Sequence, residues 1–343
     1  MIIFFELKSP VQLYAEQDFL FSCCMKTEIG KDISAAKKFL ESGEPVGIPT
    51  ETVYGLAANA LNEDAVLEIF SVKNRPHFDP LIVHVFSIAE IEKYVEEIPA
   101  KAKLLFEKFS PGPLTVLLKK KKVIPDLVTS GLDSVAIRIP NHTLTLELLK
   151  QLDFPLAAPS ANPFGYISPT TAQHVFAQLQ NKIPHILDGG ATSIGVESTI
   201  IGFENNEPTV YRLGGLAVEE IENVIGKVRV ELTESANPKT PGMLKSHYAP
   251  RKNLKIWALG HSDIGTLGNT TTGVIAFDKY VDGIEKQNQI LLSAKGDLNE
   301  AAKNLFAAMR SLDESDVEKI FAVKFPDEGL GRAINDRLNR ASS

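Results

Sequence analysis

Apolar positions along this chain fall in two rhythms. One recurs every three or four residues, as on one face of a helix; the other is a short run closed off by proline or glycine, as in a buried strand. Ile33, Ala36, Phe39 and Leu40 keep the helical rhythm, with Asp32 or Ser34 as N-cap and Gly43 as stop. The same rhythm predicts a helix over 62–72 capped by Asn62, one or two over 88–109, one over 170–180 capped by Thr170, and a last one in "VEEIENVIG". Strands are predicted in "PVGIP", "PLIVHVF", "PLTVLL", "SVAIRI", "FPLAA", "HILD", "STIIGF" and "PTVYRL". Many strands with fewer helices predict a mixed α/β sheet rather than strict βαβ repetition.

The rhythm stops at 227–252, where prolines, glycine and cations stand without period, so this segment reads as a linker. Beyond it "LKIWAL", "GVIAF" and "KIFAVKF" alternate with helices over 298–311 and 330–342. That predicts a smaller, Rossmann-like α/β domain over 253–343, after a first domain over 26–226. Residues 1–25 are apolar without period and lack the basic start and cleavage site of a secretory signal, so they read as an extension.

Composition narrows the function classes. The net charge is −7, and acidic residues outnumber basic ones in the first domain as well, which argues against a general nucleic-acid binder. The one dense basic run, Lys119 to Lys122, reads as a solvated loop. No apolar run approaches the length of a membrane span. The two cysteines, Cys23 and Cys24, are adjacent and offer no disulfide framework or cysteine zinc site, which fits a cytoplasmic protein. No metal site is expected.

Familiar catalytic signatures are missing: the chain has no dinucleotide fingerprint, P-loop, HExxH or nucleophile elbow. Polar residues punctuate the strand ends instead. Singly, each has a bland reading: Thr50 and Thr52 as turn hydroxyls, Lys73 and Arg75 at a helix end, His84 as a core histidine, Ser160 and Asn162 as turn formers. Arg138 and Arg212 resist this, because an arginine inside an apolar strand needs an anion or carbonyl partner. Together the four cations, with neutral donors between them and few carboxylates, suit a site where both reactants are anions. Two like charges about 4 Å apart repel by roughly 4 kcal/mol at an effective dielectric of 20. Fixed cations must cancel that, and a nucleophile that is already an anion needs no general base. Arg75 is read here as an anion ligand outside the core.

"IPTETVYGLAANA", the K-x-R of Lys73 and Arg75, "PLIVHV", "PGPLTV", "AIRIP", "APSANPFG", "ESTI" and "YRLG" resemble, in the same order, the YrdC-like threonylcarbamoyl-AMP synthases. The resemblance covers roughly residues 30–226; "HYAP" and "EGLGRAINDRL" are similar to the longer, two-domain members. It implies a YrdC-like mixed twisted sheet and condensation of L-threonine, bicarbonate and ATP into threonylcarbamoyl-AMP, with pyrophosphate released. ATP is a substrate and carries Mg²⁺; the product feeds a separate tRNA threonylcarbamoyl transferase complex, and direct tRNA binding is weak or absent.

Carried over by motif position, Thr52, His84, Arg138, Ala158 and Ser198 would hold threonine. Lys73, Arg75, Asp79, Ser134, Ser160, Asn162, Ser168, Arg212 and His247 would hold ATP, with Lys73 and Arg75 catalytic. Asp79 would repel phosphate unless a cation offsets it. The linker, with Lys245, His247 and Tyr248, reads as a lid that excludes water from the adenylate. Two alternatives stand beside this reading: a non-catalytic double-stranded RNA-binding protein on the same fold, and a carbamate-adenylating relative serving another acceptor.

Overall fold

The structure, a computed structural model, describes residues 26–204, 207–232, 240, 247–257 and 271–343. The extension at 1–25 and most of the linker, Lys245 included, lie outside the described residues. Elements follow the predicted rhythm closely. In the first domain they are β1 (Glu28–Gly30), α1 (Ile33–Glu41), β2 (Val46–Ile48), β3 (Gly55–Asn59), α2 (Glu63–Lys73) and β4 (Ile82–His84). Next come α3 (Ile88–Ile91), α4 (Ala100–Phe109), β5 (Leu114–Lys119), α5 (Asp126–Thr129), β6 (Ser134–Arg138), α6 (Thr143–Lys150) and β7 (Leu156–Ala157). The rest are α7 (Ala172–Leu179), β8 (His185–Leu187), β9 (Thr199–Glu204), β10 (Glu207–Arg212), α8 (Val218–Ile225) and β11 (Arg229–Val230).

Caps explain where the helices begin. The Asp32 carboxylate accepts from the Ser34 amide, and the Asn62 side chain accepts from the Asp64 and Ala65 amides. At α7 the prediction is off by one residue: Thr171 is the cap, its hydroxyl accepting from the His174 amide. Thr170 stands a residue earlier, where its own amide meets His174 Nδ1. "PLIVHVF" also forms less strand than predicted, with only Ile82–His84 in the ladder.

The strands build one mixed sheet in the order β1-β8-β2-β3-β7-β4-β6-β5-β9-β10-β11. In its centre, alternation sorts side chains by face. Val83, Val135, Ile137, Val116 and Ile201 enter the main core under the helices. The opposite face carries cross-strand rows. Register pairs His84 with Arg138, Arg138 with Thr115, and Thr115 with Ile200. One step along, Ile82 pairs with Ala136 and Ala136 with Leu117, an apolar shelf completed by Ile200. Ser134 lies a further step along the same face.

In the second domain, β12 (Asn253–Trp257), β13 (Thr272–Ala276), β14 (Gln289–Leu291) and β15 (Lys319–Val323) form a wholly parallel sheet, in the order β12-β15-β13-β14. It packs with α9 (Leu298–Glu314) and α10 (Gly329–Ala341). Its core continues into the first domain through Val53, Ile167 and Val196. Polar contacts reinforce the joint: the Tyr166 hydroxyl donates to Asp313 at 2.6 Å, and Arg310 donates to Gln178 at 3.1 Å. At Gly195 (φ +81°) a Cβ would stand 2.5 Å from Lys303 backbone atoms, so the α9 backbone rests directly on this turn.

Candidate active site

The K-x-R spacing is set by how α2 ends. Lys73 is its last residue, and Asn74 closes it in the left-handed region (φ 51°, ψ 41°), its amide bonding the Phe70 and Ser71 carbonyls. That reversal turns Arg75 back over the sheet. Lys73 Nζ donates to the Ser160 and Asn162 carbonyls at 2.6 and 2.5 Å, tying K-x-R to S-x-N. Asn162 in turn holds its loop, its amide nitrogen donating to the Pro163 and Tyr166 carbonyls. Burial, then the nearby Arg75 charge, pushes the Lys73 ammonium well below its ordinary pKa.

Arg75 is not outside the core, as the sequence reading had it, but 7% exposed. The reason is Asp79: Arg75 Nη2 sits 2.8 Å from its carboxylate, while Nε and Nη2 donate to the Asp79 and Pro80 carbonyls. Asp79 is thereby compensated by a cation. Burial pushes its carboxyl up, and Arg75, Lys73 and Arg212 pull it back.

Arg138 also has a partner, one that the sequence reading missed. Its Nη2 is 2.8 Å from the Glu51 carboxylate, whose other oxygen accepts from the Asn141 amide. Within the same "PTETVYG" segment Thr50 bonds the Val53 carbonyl and the Thr52 hydroxyl. His84 Nδ1 lies 3.2 Å from the Ile82 carbonyl, which can only accept, so a hydrogen bond between them forms in the tautomer with its proton on Nδ1. Burial and then Arg138 push the imidazole down to about 3, keeping it neutral.

From β10, Arg212 donates to the Ser198 carbonyl and, at 3.0 Å, to its hydroxyl, which also meets Thr115 at 2.7 Å. The Ser168 hydroxyl donates to Glu197 at 2.6 Å. His247 and Tyr248 lie over the site. The His247 ring meets Phe164 edge-on, and the Ala249 amide donates to the Gly165 carbonyl. Tyr248 takes φ +65°, unusual for an aromatic residue, and stacks on Phe306 of the second domain.

Arg75, His84, Arg138, Ala158, Ser160, Arg212 and His247 line a single cavity of about 50 Å³. That is room for a few waters and not for a nucleotide. Lys73, Asp79, Asn162, Ser168 and Ser198 stand one contact behind it, and Thr52 is buried beside Val53, which lines it. Ser134 is apart, at the far end of β6. Glu51, Glu197, Tyr248 and Arg337 complete the polar surroundings. Each bonds or stacks with a residue distant in sequence; the sequence reading singled out only Tyr248, and the roles of Glu51, Glu197 and Arg337 come from contacts that no local pattern announces.

Comparison with known proteins identifies the family. The Sua5/YciO/YrdC family model, described as "Telomere recombination", matches residues 38–214. A second, described as "Threonylcarbamoyl-AMP synthase, C-terminal domain", matches residues 216–343. The threonylcarbamoyl-AMP synthase of Pyrococcus abyssi is 41% identical over 329 residues, spanning 90% of this chain and 94% of the relative. That of Bacillus subtilis is 41% identical over 320 residues, spanning 90% and 92%. The crystal structure of P. abyssi Sua5 complexed with L-threonine superposes with a TM-score of 0.84 at 39% identity, covering 93% of this chain and 97% of that one. With both domains matched and aligned over nearly their whole length, the chain belongs to the YrdC-like threonylcarbamoyl-AMP synthase family, in its two-domain form.

Proposed function

We propose that this chain condenses L-threonine, bicarbonate and ATP into L-threonylcarbamoyl-AMP and pyrophosphate. The carrying observation is the convergence of Lys73, Arg75, Arg138 and Arg212 from three segments onto one buried patch. In the proposed sequence the threonine amine takes up the carbon of bicarbonate, losing water, to give an N-carboxylate. An oxygen of this anion attacks the α-phosphorus of ATP. The bond from that phosphorus to the bridging oxygen breaks, and pyrophosphate leaves with the electron pair. No proton leaves the nucleophile, so fixed positive charge is the chief requirement.

Thr52, His84, Arg138, the Ala158 backbone and Ser198 are assigned to threonine. Lys73, Arg75, Asp79, Ser160, Asn162, Ser168, Arg212 and His247 are assigned to the triphosphate side. The apolar shelf of Ile82, Ala136 and Leu117 suits a flat base, with Ser134 at its end. Mg²⁺ arrives with ATP as part of the substrate; among the described residues no cluster of three or more His, Cys, Asp or Glu side chains could hold a metal. His247 and Tyr248 over the cavity support the lid reading, in which closure shields a mixed anhydride from water.

The product is then consumed by a separate tRNA threonylcarbamoyl transferase complex in the cytoplasm. Weak or absent tRNA binding is supported by the basic run, where Lys119 pairs with Glu96 and Lys120 with Asp126. Among the described residues no helix is long and apolar enough to cross a membrane.

The test is pyrophosphate release from purified protein, which should need ATP, bicarbonate and threonine together. Release indifferent to threonine would assign the chain to carbamate adenylation for another acceptor. No release, with salt-dependent RNA binding, would return it to the RNA-binding reading.

A further inference from the structure

Among the described residues the most enclosed cation comes from the second domain. Arg337, on α10, has no exposed surface, yet its guanidinium crosses the domain joint into the site. Nε donates to Glu197 Oε2 at 3.0 Å, and Nη1 donates to the Leu213 carbonyl at 2.6 Å. The same guanidinium lies 5.3 Å from the centre of the Tyr248 ring. Asp336, its neighbour on α10, accepts from Nη1 at 3.0 Å. Each of these first-domain contacts touches or adjoins a group assigned to ATP, although Glu197 also directly precedes Ser198, which is assigned to threonine. Glu197 uses its other oxygen to accept from Ser168. Leu213 directly follows Arg212, and Tyr248 directly follows His247. Among the described residues no bond of Arg337 itself reaches Thr52, His84, Arg138, Ala158 or Ser198.

We propose that Arg337 is a positioning residue of the second domain that sets the nucleotide half of the site through Glu197, the Leu213 carbonyl and Tyr248. Its planar fork reaches an acid, a carbonyl and a ring face at once, which a lysine ammonium cannot do. The second domain then acts as more than an anchor for the linker, because its helix fixes three pieces that meet the triphosphate. This rests on the nucleotide assignment above.

The experiment uses the full-length protein with Arg337→Lys and Arg337→Met. ATP and threonine are titrated separately by calorimetry, alongside pyrophosphate release. Arg337→Lys should stay folded and weaken ATP binding by about tenfold or more, the scale of one lost charge-assisted hydrogen bond, with threonine binding changed by no more than about twofold. The KM for ATP should rise in step while that for threonine holds. Glu197→Gln should move ATP in the same direction, and the double variant should fall short of the sum of the singles, because the two share the Arg337–Glu197 contact. Unchanged ATP binding in folded Arg337→Lys overturns the proposal, as does equal weakening of both ligands. If Arg337→Met fails to fold, Arg337→Lys decides. If wild-type protein releases no pyrophosphate, the proposed reaction falls, while the split between ATP and threonine binding still decides the role of Arg337.

Discussion

At the scale of single residues, the site is a set of charges that are already paired. Arg75 and Asp79 are the clearest case. Removing one partner of a buried pair leaves the other charge uncompensated, at a cost of about 3–5 kcal/mol. Arg75→Ala should therefore lower stability as well as cutting turnover by on the order of 10²-fold. Adding Asp79→Asn should restore much of the stability and none of the turnover. Denaturation midpoints and pyrophosphate release, measured on both proteins, separate the two effects; recovery of turnover in the double variant would contradict the charge role. His84 makes a different prediction. Burial and Arg138 push its folded pKa down to about 3, against about 6.5 unfolded. Below pH 6.5 the unfolded chain thus binds the extra proton, and stability falls as pH drops from 6.5 toward 3. The slope from this one group is about 1.4 kcal/mol per pH unit, and it vanishes above pH 6.5. Urea midpoints from pH 7.5 to 5 should show the decline, and His84→Asn should make it shallower by that amount, the remainder coming from His142, His174, His185 and His247, which burial also pushes down. An equal slope in both proteins would mean that His84 is not the titrating group.

At the scale of elements, geometry that the site needs is built into helix ends and strand faces. The left-handed Asn74 is what allows Lys73 and Arg75, on either side of it, to serve one site. Asn74→Gly should be close to wild type in turnover. Asn74→Val, β-branched in that conformation, should cost about 1–3 kcal/mol and displace both cations. Equal turnover in the two variants would show that the reversal does not position them. Elements of this kind were largely legible in the sequence. Asp32, Asn62 and the apolar periods marked helices, and "SVAIRI" already showed Arg138 on the opposite face from Val135 and Ile137. The shortest strands were not all legible: "FPLAA" marked β7, but β1 and β11 are held by their neighbours rather than by any pattern of their own. Nor were the acids: Glu51 lies 87 positions before Arg138. A one-dimensional string carries no sign that a carboxylate will be folded against a particular arginine.

At the scale of the whole molecule, the two domains share a core and a backbone contact at Gly195. They should unfold together, giving one calorimetric transition; two resolved transitions would show that the joint is weaker than its packing. The linker should respond to ligands instead. Cleavage near Lys245, which lies outside the described residues, should slow when ATP and threonine are both saturating, and unchanged cleavage would leave the segment a tether. The reach of Arg337 adds a constraint on timing. It stands 140 residues after Glu197. At the usual pace of translation the ribosome therefore makes it roughly ten to thirty seconds later. Through that interval the growing chain has its first domain but not the arginine proposed to order the nucleotide side. On that proposal a half-made enzyme holds ATP more weakly, and the nucleotide side reaches its full grip only once α10 has been made and docked.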